Sequence, residues 1–300
     1  MKKKVLITGS NGLLGQKLSH LLVHNAAIDL VATSRGENKL AQILPELPFI
    51  SLDVTDAGQV EEVIAGERPT HIIHTAAMTN VDACEEDHDG CWQVNVTAVQ
   101  HLVKACEQYQ VHLIHLSTDF VFDGEEGPYD EEARPNPISY YGQSKLAAEE
   151  LIRNSTCTWA ILRTVLVYGV VHEYGRSNIV LWVKQNLEAH KTIQVVNDQF
   201  RTPTLAEDLA MGCWLAVSHD AEGIYHLSGK DLLTPYDMAL LVAEFFKLDA
   251  SLIREVDAST FTQKARRPLR TGFDIGKAEQ DLGFTPHSFL EGIAVVASQL

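Results

Sequence analysis

The chain has 300 residues, 45% of them hydrophobic, with 40 acidic against 24 basic side chains and a formal charge of −16. That length and apolar content support a substantial core, as one large domain or a core domain with a smaller lobe, and argue against disorder or coiled coil. A net field of this sign repels nucleic acid and anionic membrane surfaces, so neither is expected as a partner, and an anionic ligand needs a local basic patch.

The opening Met1-Lys2-Lys3-Lys4 precedes only Val5-Leu6-Ile7, too short for a secretory apolar region, and no stretch approaches a membrane span. Short apolar runs then alternate with helical patterns. Strands are predicted at 4–8, 30–33, 49–52, 71–75, 111–117 and 159–163. Helices are predicted at 13–24, 59–65, 90–109 and 139–154. A loop rich in Asp, Glu, Gly and Pro spans 123–137. This β-α-β alternation implies α/β architecture: a Rossmann-type, doubly wound parallel sheet covered on both faces. Beyond Tyr168 the rhythm loosens into helices at 178–189, 205–217 and 235–246, extended runs at 193–196 and 223–227, and short helices after Phe273. The division expected is a Rossmann domain at 1–168 and 205–227, with a smaller discontinuous α/β lobe at 169–204 and 228–300.

Five dispersed cysteines without a CxxC pair fit reduced thiols in a cytoplasm. No metal site is expected. His71 and His74, like His112 and His115, lie three apart in strand-like runs, so each pair projects to opposite faces and reads as packed or hydrogen-bonded.

Thr8-Gly9-Ser10-Asn11-Gly12-Leu13-Leu14-Gly15 falls between the first strand and the first helix. Gly9, Gly12 and Gly15 permit a tight turn, and the backbone around Asn11, Leu13 and Leu14 can approach a dinucleotide diphosphate at the helix start. Where NAD-binding chains carry an acid after the second strand, this chain has Thr33-Ser34-Arg35. Ser34 and Arg35 suit a 2′-phosphate, which favours NADP(H) over NAD(H). Asp53 and Val54 close the third strand. Asp53 either accepts from the adenine amino group or caps the following helix.

Tyr141 and Lys145 stand four apart, on one face of a helix. A phenol titrating near ~10 is a poor acid-base group at neutral pH. A neighbouring ammonium is expected to lower that pKa. Ser117-Thr118-Asp119 ends a strand, which puts the Thr118 hydroxyl at the carboxyl edge of the sheet beside Tyr141.

Taken together, these features resemble the extended short-chain dehydrogenase/reductases. Leu116-Ser117-Thr118-Asp119-Phe120-Val121-Phe122-Asp123-Gly124 resembles the dTDP-4-dehydrorhamnose reductase family within them. So do Ala76-Ala77-Met78-Thr79-Asn80-Val81-Asp82, Asp198-Gln199 with Pro203-Thr204, and Arg267-Pro268. The resemblance implies reduction of a sugar C4 ketone by NAD(P)H, with Thr118, Tyr141 and Lys145 as catalytic triad and Ala76 and Ala77 against the cofactor. It places Thr79 and Val81 in the sugar pocket. The chain departs at Phe120, where relatives commonly carry Tyr, and at Leu166, where they commonly carry Trp near the sugar.

Lys264-Ala265-Arg266-Arg267-Pro268-Leu269-Arg270 is the densest basic cluster, and Arg201 sits in the Asp198–Thr204 element. Arg201 and Arg267 are expected either to clasp the substrate diphosphate or to pair with acidic neighbours on the surface. The implied partner is a nucleotide-linked 4-keto-6-deoxy sugar. Relatives often pair through helices near the catalytic segment, which implies a homodimer. Two rival readings share the scaffold: a sugar-nucleotide epimerase or dehydratase, and a non-catalytic NADP-binding subunit like the family's methionine adenosyltransferase partner.

Overall fold

The structure, a computed structural model, describes residues 2–172 and 178–300. Met1 and residues 173–177, the latter within the expected lobe, lie outside the described residues. Strands are β1 (Lys3–Thr8), β2 (Ile28–Ser34), β3 (Phe49–Ser51), β4 (His71–His74), β5 (His112–Thr118), β6 (Trp159–Thr164), β7 (Val167–Tyr168), β8 (Ile193–Val196), β9 (Thr204–Leu205), β10 (Gly223–His226) and β11 (Ile253–Val256). Helices are α1 (Leu13–Leu22), α2 (Ala57–Glu67), α3 (Val81–Glu86), α4 (His88–Trp92), α5 (Ala98–Tyr109), α6 (Tyr140–Arg153), α7 (Ile179–Glu188), α8 (Ala206–Ser218), α9 (Pro235–Phe246), α10 (Gly276–Leu282) and α11 (Phe289–Ala297).

The main sheet runs β3-β2-β1-β4-β5-β6-β10, parallel throughout. The order reverses between β1 and β4, which opens a crevice at the carboxyl edge where open α/β sheets bind ligands. Strand alternation sends Val5, Ile7, Ile73 and Ile114 into a core shared with residues of α1 and α8. Leu6, Ile72 and Leu113 enter a second core with residues of α2, α5 and α6 on the opposite face. Two-sided burial accounts for the near-continuous apolar runs in the sequence.

A third core gathers α7, β8, α9, β11 and α11. The parallel pair β8–β11 joins residues sixty apart, and β7 pairs with β9, also in parallel. Two features cut across the expected division. Phe273 and Phe284, placed in the lobe from sequence, pack into the main core with α10, while Tyr168 and Leu205 belong to the lobe's core. The tail crosses back because α10 offers Ala278 and Leu282 to the α8 face before α11 returns to α9.

The single helix predicted over 90–109 is interrupted: Gln93–Thr97 is a π-helical turn between α4 and α5. A π-turn keeps the apolar rhythm nearly intact, so periodicity does not reveal it, and such turns recur at functional sites. Here it turns Asn95 inward. The Asn95 amide donates to Met78 O (3.1 Å) and Ser144 Oγ (3.0 Å) and accepts from Met78 N (2.8 Å), clipping the loop after β4 to α6.

The sheet also buries an ion pair. Arg163 of β6 donates from Nε and NH2 to the two Glu149 oxygens of α6 at 3.0 and 2.7 Å, and Ser117 Oγ donates to the same carboxylate at 2.5 Å. Both charged side chains are essentially inaccessible. Removing one partner strands the other charge in the interior. Glu149→Ala is therefore expected to cost about 3–5 kcal/mol of unfolding free energy. Urea denaturation measures this, and a loss within ~0.5 kcal/mol, typical of a surface change, would contradict it.

Candidate active site

The glycine turn is shaped by close approach. Gly9 has φ +72° and lies against Ala76, and a Cβ on Gly15 would stand 2.3 Å from Gly9 O. Gly12 is the N-cap of α1 and offers no side chain, so the first amides of that helix face the crevice without a capping partner. This is the arrangement that receives a phosphate. The Asn11 side chain braces the turn, donating to Glu37 O (2.8 Å) and accepting from Lys39 N (3.0 Å).

At the end of β2, Thr33 turns inward and donates to Ile7 O, leaving partly exposed Ser34 and exposed Arg35 at the rim. Asp53 does not cap the next helix. It accepts from Thr55 N (3.0 Å) and Oγ1 (2.7 Å), and Asp56 caps α2 instead. Those Thr55 hydrogen bonds hold the Asp53 carboxyl below its usual pKa, and Arg35 contributes in the same direction. Val54 is buried beside it.

Helix α6 carries Tyr141 and Lys145. Ser139 caps it, accepting from Gly142 N, and Glu85 accepts from Tyr140 N at 2.8 Å. Gly142 allows α6 to approach the loop after β5, since a Cβ there would lie 2.2 Å from Phe120 O. Tyr141, Lys145 and Glu149 form one buried stripe along the helix. The Phe120 ring meets Tyr141 edge-on, with centroids 5.7 Å apart.

The Lys145 ammonium donates to Leu116 O (2.7 Å) and to His115 Nε2 (3.1 Å). His115 stacks on His74 across the parallel register, and His74 Nδ1 lies 2.7 Å from the Thr8 hydroxyl. Burial holds both imidazoles below their usual pKa, so they are neutral beside the lysine. The projection of His74 and His115 away from His71 and His112 follows the expected alternation.

Burial also lowers Lys145 to about 8, opposed by the Glu149 carboxylate. The Tyr141 phenol is pushed up by burial, with the Thr118 hydroxyl opposing. The expected depression of the phenol is thus reversed: desolvation of a phenolate outweighs the Thr118 hydrogen bond that would favour it, and the nearby Asp119 carboxylate adds to the rise. The consequence is a phenol that stays protonated at neutral pH, as a general acid requires.

A cavity of about 860 Å³ joins these parts. Asn11, Gly12, Leu13, Leu14 and Gly15 form one end, and Thr118, Tyr141 and Lys145 stand in its wall with Ala77. Thr79, Val81, Phe120, Leu166, Arg201 and Arg267 line the remainder, with Leu166 42% exposed. Gly9, Ala76, Ser34, Arg35, Asp53 and Val54 are not among its walls. Residues at or beside the site to which the sequence reading gave no role there include Asn95, His115, Gln199 and Trp182, an indole supplied by α7. Gln199 stood in the Asp198-Gln199 motif, and His115, read as a packed histidine, sits directly opposite His74 in the parallel register.

The two arginines are committed elsewhere. Arg201 donates to Phe200 O, Leu269 O and Pro268 O at 2.7, 3.1 and 2.6 Å, and its Nε lies 3.8 Å from Asp119. Arg267 forks onto Asp82 at 3.2 and 2.7 Å, and Lys264 pairs with Glu86. Arg267 and Lys264 thus pair with acidic neighbours, whereas Arg201 is buried with its donors on backbone carbonyls, and both arginines line the cavity. Asp119 is fully buried, with its pKa raised by burial against the pull of Arg201 and hydrogen bonds from Thr271 and Thr118.

A parallel sheet reversing at β1/β4, a glycine turn under an uncapped helix, and a Thr-Tyr-Lys constellation at the carboxyl edge define an extended short-chain dehydrogenase/reductase. The chain belongs to the RmlD substrate binding domain family, whose model matches residues 2–300. It is 31% identical to a dTDP-4-dehydrorhamnose reductase of Aggregatibacter actinomycetemcomitans over 94% of each chain. It is 30% identical to the bovine (Bos taurus) methionine adenosyltransferase 2 subunit beta, covering 92% of this chain and 82% of that one. The crystal structure of the Bacillus anthracis dTDP-4-dehydrorhamnose reductase in complex with NADP superposes with a TM-score of 0.88 at 29% identity, covering all of both chains. Among the described residues no helix is long and apolar enough to cross a membrane.

Where Lys145 serves the reaction as a cation, activity follows its protonation. In the free protein kcat/KM is expected to fall as pH rises through about 8, the value to which burial brings Lys145. A profile flat to pH 10 would remove the lysine from this role.

Proposed function

We propose that this protein reduces the C4 ketone of a nucleotide-linked 4-keto-6-deoxy sugar, with NADPH as preferred reductant. The observation that carries the reading is the cavity itself: a buried, protonated phenol and its lysine open onto the same space as the glycine turn and the uncapped start of α1.

Gly12, Leu13 and Leu14 would hold the diphosphate through backbone amides, and Ser34 and Arg35 would meet a 2′-phosphate at the rim. Lys145 would orient the nicotinamide ribose. The bound cofactor supplies the hydride. Tyr141 donates its phenolic proton to the oxygen of the reduced carbonyl, and Thr118 holds that oxygen by a hydrogen bond. High phenol pKa favours this reductive direction, because the reverse reaction needs the phenolate. Thr79, Val81 and Phe120 would border the sugar, with the Leu166 side chain facing it. Trp182 offers a flat apolar surface in the same cavity. The relatives named as reductases support this reading.

The sequence likeness to the methionine adenosyltransferase subunit keeps a regulatory reading open to test. Loss of NADPH absorbance with dTDP-4-keto-6-deoxy sugar present is the expected outcome. Tight NADPH binding with no turnover on that or related keto sugars would favour the regulatory role. Tyr141→Phe should lower kcat by ~10²–10⁴-fold with cofactor affinity nearly unchanged; a full-rate Phe variant would remove Tyr141 as the acid. Arg35→Ala should weaken NADPH by roughly tenfold or more through loss of a charged hydrogen bond, and leave NADH little affected. Equal loss for both cofactors, read by fluorescence titration, would place Arg35 away from the 2′-phosphate.

A further inference from the structure

The strands that carry catalysis at their carboxyl ends hold a second group of side chains at their amino ends. Parallel register sets His71 of β4 beside His112 of β5, with ring centroids 5.1 Å apart. Both imidazoles lie on the α8 face of the sheet. The turn after α8 brings Asp220 over them in a left-handed conformation (φ +49°), which Asp adopts more readily than most residues. One ligand atom from each of the three residues lies within 4.8 Å of the others.

We propose that His71, His112 and Asp220 form a binding site for one divalent transition-metal ion of the Zn²⁺ type, distinct from the catalytic cavity. Thr118 lies six residue steps along the strand from His112, roughly 20 Å at the usual rise.

Hydrogen bonding around the rings carries the assignment. His112 is 93% buried, and its Nε2 has no hydrogen-bond partner. A buried polar atom left unpaired costs about 1–3 kcal/mol. The ring's recorded hydrogen bond is to the Ala221 backbone. Donation there leaves Nε2 as a bare lone pair, the state in which a histidine ligates.

His71 has a matching device. Its Nδ1 is 2.9 Å from Thr70 Oγ1, which also lies 3.0 Å from Lys4 O, while Nε2 is 2.9 Å from Asp220 Oδ1. The single Thr70 proton has two acceptors. Given to His71 Nδ1, it makes Nε2–H a donor to Asp220, the metal-free arrangement. Given to Lys4 O, it makes Nδ1 the donor and frees the Nε2 lone pair for a cation, with no change in charge on the ring.

Lys3 is the competitor. Its ammonium lies 2.6 Å from Asp220 Oδ1 and 2.5 Å from Val217 O, so in the absence of a metal it neutralises the carboxylate. Lys3 is partly exposed and can keep Val217 while a metal takes the carboxylate. Two imidazole nitrogens and one carboxylate oxygen, completed by water, suit Zn²⁺, Co²⁺ or Ni²⁺ and not Mg²⁺ or Ca²⁺. The ion would tie β4 and β5 to the α8–β10 turn.

The test titrates the EDTA-treated full chain with Co²⁺ alone and then Zn²⁺ alone. Expected are one Co²⁺ per chain with the visible bands of four-coordinate nitrogen–oxygen ligation, displacement by Zn²⁺, and a rise in Tm with Zn²⁺ that Mg²⁺ does not produce. His112→Gln and Asp220→Asn should each weaken Co²⁺ by at least about tenfold and abolish the Zn²⁺-dependent rise in Tm. Asp220 is exposed, so its Asn variant retains the fold and the comparison stands even if the His112 variant does not. Absence of the Co²⁺ spectrum in the wild type, or Co²⁺ binding unchanged by Asp220→Asn, would overturn the assignment.

Discussion

An ammonium placed inside the protein is the constraint around which this site is organised. Lys145 is buried with a carbonyl and a neutral imidazole as its hydrogen-bond partners and a carboxylate one helical turn away. A buried charge persists only where such groups replace water. Each then requires its own support. His115 rests on His74, and His74 on Thr8 at the glycine turn. Glu149 is gripped by Arg163 and Ser117. The result is a row of buried polar side chains on the α6 face of the sheet, running from Thr8 at the glycine turn to Ser117 near the end of β5. Hydrogen bonds and packing along it fix the position of Lys145.

The loop after β5 is bound to the 264–271 segment by Arg270 N donating to Gly124 O and by Thr271 donating to Asp119. Arg201 lies between them, with its donors on three backbone carbonyls. The STDFVFDG and ARRPLR segments are far apart in sequence and adjacent in space. Their charges largely serve that junction. The uncapped start of α1 offers backbone amides whose partial charges need no counterion, in a protein with a charge of −16.

The sheet separates functions by edge and by face. His74 and His115 point into the α6 side and serve the lysine, while His71 and His112 point to the α8 side at the far edge. One strand pair thus carries two histidine rows with different neighbours. The rows differ only by the alternation of a strand and the direction of its chain.

Local chemistry made much of this legible. Glycines at a βα turn, a phenol and ammonium at helical spacing, and apolar runs of strand length report short-range requirements, and the strands and helices around the site fall within a few residues of their predicted ends. What sequence could not carry depends on residues distant along the chain. The pairing of Arg267 with Asp82 spans 185 residues of chain, and spacing alone does not show it. Tyr141 reads as acidified by Lys145 until burial is known, because desolvation is a property of the packed interior and not of a neighbour. The π-turn at Gln93–Thr97 preserved helical periodicity and so left no trace, and the tail's return to the main core was decided by which apolar faces remained uncovered. Spacing along the chain determined which groups share a helix or strand; tertiary packing alone decided which charges met, and how much water remained around them.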